Sequence, residues 1–64
     1  MFSKVRNNYK FTVEVYDNED LNTEVYEVYA QSKSEALNKA IQLYRSEFYV
    51  QGNVNALILD VEEL

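Results

Sequence analysis

The chain has 64 residues and a formal net charge of −5, and it contains no cysteine, histidine or proline. A domain of this size buries only about 60% of its unfolded surface, and these residue types leave it without a disulfide or a structural zinc site to add stability. The same absence removes the commonest general base and the most nucleophilic side chain, so we expect a non-enzymatic protein with no cofactor and no metal.

Residues 1–9 show no hydrophobic periodicity and are predicted to form a flexible amino-terminal arm, followed by one domain over residues 10–64. The first residues lack the apolar run of a signal peptide, and no apolar stretch approaches the roughly 20 residues of a membrane span. We therefore expect a cytoplasmic protein that does not bind membranes.

Two strands are predicted after the arm. In residues 10–16 apolar and polar side chains alternate strictly, which is typical of a half-buried strand. Residues 17–22 are rich in turn-forming side chains and predict a hairpin loop. The β-branched and aromatic residues of segment 24–30 predict the second strand.

One amphipathic helix is predicted over residues 32–49. Ser32 and Glu35 have the spacing of a capping box, and Gly52 is suited to the left-handed conformation that closes many helices. Apolar residues recur at intervals of three and four, which places them along one stripe of the helix. The predicted stripe consists of Leu37, Ala40, Ile41, Tyr44 and Phe48.

A third strand is predicted over residues 54–61, which gives the element order strand, strand, helix, strand. A right-handed crossover through the helix lays the third strand parallel to the second, and beside the first. The sequence therefore predicts an α+β fold, in which a three-stranded antiparallel sheet of order 2-1-3 carries one helix on one face.

The helix can cover only one face of this sheet. The covered face is predicted to contain Phe11, Val13, Val15, Tyr26, Val28, Leu57, Leu59 and Val61. The open face is predicted to contain Thr12, Glu14, Tyr16, Val25, Glu27, Tyr29, Ala56, Ile58 and Asp60. Such a mixture of apolar side chains, tyrosines and carboxylates is a candidate interface, although isolated aromatic residues are also common on exposed sheets without any function.

The negative charge is concentrated in the hairpin, since residues 11–32 carry six acidic residues and no lysine or arginine. An acidic surface repels phosphate, which argues against direct binding of nucleic acid and favours a basic protein as partner. Tyrosines on a sheet can stack on bases, but here they are interleaved with glutamates. Two alternatives stay open: the charge only keeps the protein soluble, or Lys4, Arg6 and Lys10 make weak contacts with nucleic acid.

Four segments resemble those of a known protein family, and they occur in the order YKFTV, DNED, YEVY and SKSE. They resemble the small acidic uracil-DNA glycosylase inhibitors of phi29-type Bacillus phages, which in outline also have a strand, an acidic hairpin loop, a strand, a helix and a strand. This chain has a longer arm, hairpin loop and helix. The resemblance implies a dimer in a bacterial host that mimics DNA with carboxylates and encloses an apolar finger of the glycosylase in a pocket. By this resemblance Glu27 is an acidic contact residue and Tyr44 lines the pocket.

The first functional hypothesis is thus an acidic, phage-type inhibitor that dimerises and blocks a host DNA-binding enzyme. Its predicted partner-binding residues are Asp17, Glu19, Asp20, Glu24, Val25, Glu27, Tyr29, Tyr44 and Phe48. The alternative is a small structural or adaptor domain that forms a homodimer through its open sheet face without mimicking DNA.

Overall fold

The computed structural model describes residues 8–17, 22–50 and 52–64. The elements are β1 (Tyr9–Asp17), β2 (Asn22–Ala30), α1 (Lys33–Phe48) and β3 (Asn55–Glu63). The sheet has the order β2-β1-β3 with antiparallel neighbours, so the predicted α+β fold and its strand order are confirmed.

The element boundaries differ slightly from those predicted. Tyr9, which the sequence places in the arm, is the first residue of β1, because it pairs with Ala30 on one side and Glu63 on the other. The rest of the predicted arm, residues 1–7, and the loop residues 18–21 lie outside the described residues.

β1 is the central strand, and its alternation is the one the sequence predicts. Phe11, Val13 and Val15 are buried beneath the helix, and the residues between them are half-buried on the opposite face. Because β1 has a neighbour on both sides, its backbone pairs along both edges apart from one register shift between Thr12 and Val13 on the β3 side, and its apolar side chains form the middle of the core.

The N-cap predicted at Ser32 is confirmed. Ser32 is the N-cap, and its Oγ accepts a hydrogen bond of 3.2 Å from the Glu35 amide. The Glu35 carboxylate accepts a 3.0 Å bond from the amide of Gln31, one residue before the cap, and this bond lowers the pKa of Glu35. The Glu35 amide is one of the donors that the helix leaves unpaired, whereas the second bond satisfies the amide of Gln31 in place of the Ser32 amide of a regular capping box.

The end of α1 differs from the prediction. Tyr49 adopts the left-handed conformation, with φ of 57°, and its amide donates to the Arg45 carbonyl at 2.8 Å. Gly52 does not have a positive φ, so the prediction that it closes the helix is wrong. The chain turns three residues earlier, where the Arg45 guanidinium also reaches the Val50 carbonyl at 3.4 Å.

The core is formed by β1, β2 and α1. Its buried apolar residues are Phe11, Val13, Val15, Val28, Ala30, Ala36, Ala40 and Tyr44. The buried stripe of the helix is therefore rotated from the predicted one, because small alanines let α1 approach the sheet closely and Tyr44 fills the space beyond them. Leu37 and Ile41 pack only partly against the core, and Phe48 is exposed.

The predicted faces of β3 are wrong for four residues. Ala56 and Ile58 pack against the core, whereas Leu57 and Leu59 are 49% and 50% exposed. The pairing with β1 explains this, because Ile58 lies opposite Val13 and no residue of β1 lies opposite Leu59, which forms a bulge. Both faces of β3 are apolar, so its own alternation does not indicate which one is buried.

We expect Tyr49→Gly to raise the free energy of unfolding by about 1 kcal/mol, because a left-handed conformation costs an L-residue roughly 1–2 kcal/mol and costs glycine far less. Tyr49 is 86% exposed, so the lost side chain removes little packing. Urea denaturation measures the effect. The control Ser46→Gly, at an exposed position inside α1, should lower the stability by about 0.5–1 kcal/mol. Equal destabilisation by both variants would contradict this account of the helix end.

Candidate protein-binding face

The face of the sheet opposite α1, called here the open face, is defined by the strand register. It consists of Lys10, Thr12, Glu14 and Tyr16 of β1, Thr23, Val25, Glu27 and Tyr29 of β2, and Asn55, Leu57, Asp60 and Glu62 of β3. Residues directly opposite one another in neighbouring strands share a face, so these residues form four rows across three strands.

Three carboxylates group around Thr12 on the open face and are called here the carboxylate cluster. Glu27 and Asp60 lie on either side of Thr12 in one row, and Glu14 lies in the next row. Diagonal neighbours on a sheet have Cβ atoms about 7–8 Å apart, a distance at which two charges in water repel by about 0.6 kcal/mol. The fold therefore holds three like charges together at a modest cost in stability.

The basic residue of the open face offsets this cluster only in part. Lys10 lies in the row beyond Thr12, and its ammonium is 3.4 Å from the Glu62 carboxylate. The hydrogen bond to Glu62, followed by the nearby charge of Glu27, raises the pKa of Lys10. Lys10 is thus paired mainly with Glu62 and is also attracted by Glu27, so the three carboxylates of the cluster keep a net negative charge.

The helix layer has a different charge balance. Its charged residues along α1 are Lys33, Glu35, Lys39, Arg45 and Glu47. Three of these are basic and two are acidic, so the helix is close to neutral. The open face carries one basic and four acidic residues, whereas the charges of α1 nearly balance, and the field of either surface falls off within about 8–10 Å at physiological salt.

Exposed apolar side chains lie beside the cluster. Val25 and Leu57 flank Glu14 in one row and are 51% and 49% exposed, and Tyr29 is exposed at the end of the face near Lys10. Side chains of this kind gain free energy when a partner removes them from water, by about 25 cal/mol for each Å² buried. The open face thus combines charge for attraction with apolar area for affinity.

The predicted site residues of β2 divide between the two faces. Val25, Glu27 and Tyr29 lie on the open face as expected. Glu24 lies on the opposite face, because it pairs with Val15, whose side chain is buried beneath the helix. A single partner surface that contacts Glu27 on the open face does not also reach Glu24.

Two other predicted contact residues are buried. Tyr44 is fully buried in the core, and Asp17 is 4% exposed at the end of β1, so neither presents its side chain to a partner. Phe48 lies on the helix side, and the centroid of its ring is 4.8 Å from the centroid of the Tyr44 ring. Glu19 and Asp20 lie outside the described residues.

Hydrogen bonds hold α1 against β2 and so fix the hairpin strand that carries four of the nine predicted contact residues. The Tyr26 hydroxyl donates to the Glu47 carboxylate at 2.6 Å, and the Lys39 ammonium donates to the Tyr29 carbonyl at 2.6 Å. The Tyr44 hydroxyl lies 3.5 Å from the carbonyl of Asn22. These bonds join the helix to β2 along nearly its whole length.

A groove of about 410 Å³ runs between α1 and the outer edge of β2. Leu43, Val28 and the aliphatic part of Lys39 contribute to its walls. Sequence analysis did not predict a role for Lys39 at this edge or for Leu57 on the open face. Both depend on how elements distant in the chain pack together, and no local pattern signals them.

Among residues 8–17, 22–50 and 52–64 there is no group of three or more histidine, cysteine or acidic residues placed to hold a metal ion. In the same part of the chain no helix is both long and apolar enough to cross a membrane.

Comparison with protein-family models, with curated proteins and with solved structures finds no match to the chain.

The contact between Tyr26 and Glu47 predicts that the stability of the folded protein decreases at alkaline pH. Partial burial, and then the hydrogen bond to Glu47, raise the pKa of Tyr26 well above its usual range. The neutral phenol is therefore favoured in the folded state, so its contribution to stability is complete below the unfolded value of about 10 and is lost as the pH rises through the folded one. NMR titration of the tyrosine rings measures this midpoint.

In Glu47→Gln we expect the titration midpoint of Tyr26 to fall, because the variant removes the negative charge beside the phenol while keeping an acceptor. Glu63→Gln serves as the control, since it makes the same change in net charge at the exposed end of β3. A midpoint that shifts equally in both variants would mean that the contact with Glu47 has no part in raising the pKa of Tyr26.

Proposed function

We propose that this protein is a non-enzymatic inhibitor whose open face docks on the DNA-binding surface of an enzyme and occupies the place of DNA. The observation that carries the proposal is the carboxylate cluster of Glu14, Glu27 and Asp60 beside the exposed side chains of Val25 and Leu57. Such a surface is complementary to one that is basic and partly apolar.

A DNA-binding enzyme is the partner that this chemistry favours. Surfaces that bind DNA carry lysine and arginine to neutralise phosphates, and a cluster of carboxylates on a rigid sheet presents these groups with fixed negative charges. Grouping like charges lowers the stability of a small domain, so the cluster is better explained by a partner than by solubility, for which dispersed charges suffice. Uracil-DNA glycosylase is the first enzyme to test, because the sequence resemblance implies it.

The apolar side chains of the open face supply the binding affinity that charge alone does not provide. Pairs of charges at the rim of an interface mainly accelerate association, whereas buried aromatic and aliphatic side chains contribute most of the affinity. Val25, Leu57 and Tyr29 are exposed on the same face as the carboxylates and are suited to this part. Binding should weaken with salt but should not disappear.

The alternative function, homodimerisation through the open face, is supported by the same apolar side chains. Two copies packed face to face would, however, bring two carboxylate clusters together. Like charges placed opposite each other in an interface cost several kcal/mol, so the charge distribution favours a basic partner over a second copy on this face.

We expect Glu27→Lys/Asp60→Lys to lower the affinity for the partner enzyme roughly tenfold or more, because two carboxylates that face basic residues are replaced by repelling charges. The matched control is Glu24→Lys/Glu63→Lys, which makes the same change in net charge on the same two strands. Glu24 and Glu63 pair with Val15 and Tyr9 and so lie on the helix side. The control should bind within about twofold of the unchanged protein.

Calorimetric titration of uracil-DNA glycosylase, with duplex DNA as competitor, measures both variants. Equal affinities of the two variants would mean that the open face does not carry the binding. Simultaneous binding of DNA and this protein to the enzyme would contradict DNA mimicry. If the glycosylase does not bind, proteins captured from a bacterial lysate and displaced by DNA are the next candidates for the same pair of variants.

A further inference from the structure

We infer that the outer edge of β3 pairs with an extended segment of a partner protein in which basic and apolar residues alternate. The paired part of β3 is segment 60–63, which follows the bulge at Leu59 and keeps a regular register with β1. The inference goes beyond the proposed function and does not depend on it, because it concerns the backbone of an edge strand rather than the docking of the open face on a DNA-binding surface.

The backbone groups that β3 directs outward can be identified from its pairing. In the described part of the chain β3 has β1 on one side and no strand on the other. The Leu64 amide donates to the Asn8 carbonyl at 2.9 Å, so the backbone of Leu64 faces β1. Successive residues of a strand direct their backbone groups to alternate sides, so those of Val61 and Glu63 face outward. An added strand would make about four hydrogen bonds with these two residues.

The edge at β2 is less accessible than the edge at β3. The Lys39 ammonium binds the Tyr29 carbonyl at 2.6 Å, and the helix residues Gln42 and Leu43 lie alongside β2. Lysine at an edge is a common means of preventing a further strand from pairing. Segment 60–63 contains no lysine and no proline, and all four of its residues are exposed. This part of β3 is therefore the edge that can accept a strand.

The side chains of segment 60–63 differ between the two faces of the sheet. Asp60 and Glu62 lie on the open face, in the rows of Thr12 and Lys10. Val61 pairs with a residue that is buried beneath the helix, so it lies on the helix side, where it is 42% exposed. Residues directly opposite each other in neighbouring strands interact most strongly. The edge is therefore complementary to a strand with basic residues on the open face and an apolar residue between them on the helix side.

A cavity on the helix side favours the same alternation. It has a volume of about 270 Å³ and lies at the start of α1, about three helical turns from Tyr44. Its walls include Tyr9, Phe11 and Val61 of the sheet and Lys33 of the helix. A side chain opposite Val61 would lie within about 5 Å of it, at the mouth of this cavity. An apolar side chain gains free energy there, whereas the ammonium of Lys33 repels a basic one.

The carboxylates of the edge can bind a basic strand despite the contact between Glu62 and Lys10. Lys10 approaches Glu62 from β1, and the Glu62 side chain remains 60% exposed. A carboxylate accepts several hydrogen bonds, so Glu62 can also bind a cation across the outer edge. Asp60 lies opposite the uncharged Thr12. A second copy of β3 would instead bring its own carboxylates to this segment, so the charge favours a basic strand over a copy.

Two blocked peptides of the same composition test the alternation. In Thr-Lys-Leu-Lys-Thr the lysines share one face of an extended strand and the leucine lies on the other, whereas in Lys-Thr-Leu-Thr-Lys all three share one face. The first peptide should bind roughly fivefold more tightly, because it alone places lysines beside Asp60 and Glu62 and leucine beside Val61. NMR titration measures both affinities, and the largest amide shifts should occur at Val61 and Glu63.

A matched pair of variants at Glu63 tests the backbone pairing. Glu63→Pro removes an amide that faces outward and so leaves the ladder with β1 intact, as proline does at other edge strands. Glu63→Ala makes the same change in charge and keeps the amide. The first peptide should bind Glu63→Pro roughly fivefold more weakly than Glu63→Ala, which should stay within about twofold of the unchanged protein. Circular dichroism checks that both variants are folded.

Equal binding of the two peptides would overturn the inference, because charge alone would then explain it, as would the absence of binding at millimolar peptide. Equal affinities of the two Glu63 variants would also contradict it. Shifts centred on Glu14 and Val25 would assign the peptide to the open face instead. Shifts of Val61 with protein concentration alone would mean that a second copy occupies the edge, which likewise contradicts the inference. None of these outcomes bears on whether the open face binds the glycosylase, which the affinity of the charge variants decides.

Discussion

The hydrogen bonds between α1 and β2 determine how the rest of the molecule is arranged. Tyr26 with Glu47, and Lys39 with the carbonyl of Tyr29, hold the helix over one side of the sheet, while Tyr44 fills the space beneath it. In the described part of the chain one helix lies over three strands, so a helix held close to β2 covers β3 less completely. The well-packed half of the domain and its exposed strand are thus two results of the same placement.

The placement also separates charge between layers. Lysines, arginine and glutamates balance along α1, whereas Glu14, Glu27 and Asp60 group on the face that the helix does not cover. The core beneath contains three alanines among its eight buried apolar residues, so it has little stability in excess. Repulsion among the carboxylates of the open face therefore lowers a free energy of unfolding that is already small.

Much of the fold could be predicted from the sequence, because its signals are local. The alternation of β1, the cap at Ser32 and the order of the elements depend on neighbouring residues and are confirmed. The site was less predictable. Glu24 and Glu27 are close in sequence but lie on opposite faces, and the faces of β3 are fixed by its pairing with β1 at long range. The left-handed Tyr49 was missed because glycine is the usual residue there.

The bulge at Leu59 has a consequence for how the chain can change in length. Removal of this residue would leave Ile58 facing the core and Asp60 facing away, since it is the one position of β3 without a partner in β1. Removal of a neighbouring paired residue would instead turn the side chains on one side of the deletion to the other face. Leu59 is therefore the place in β3 where evolution can delete a residue and keep the surface that the strand displays.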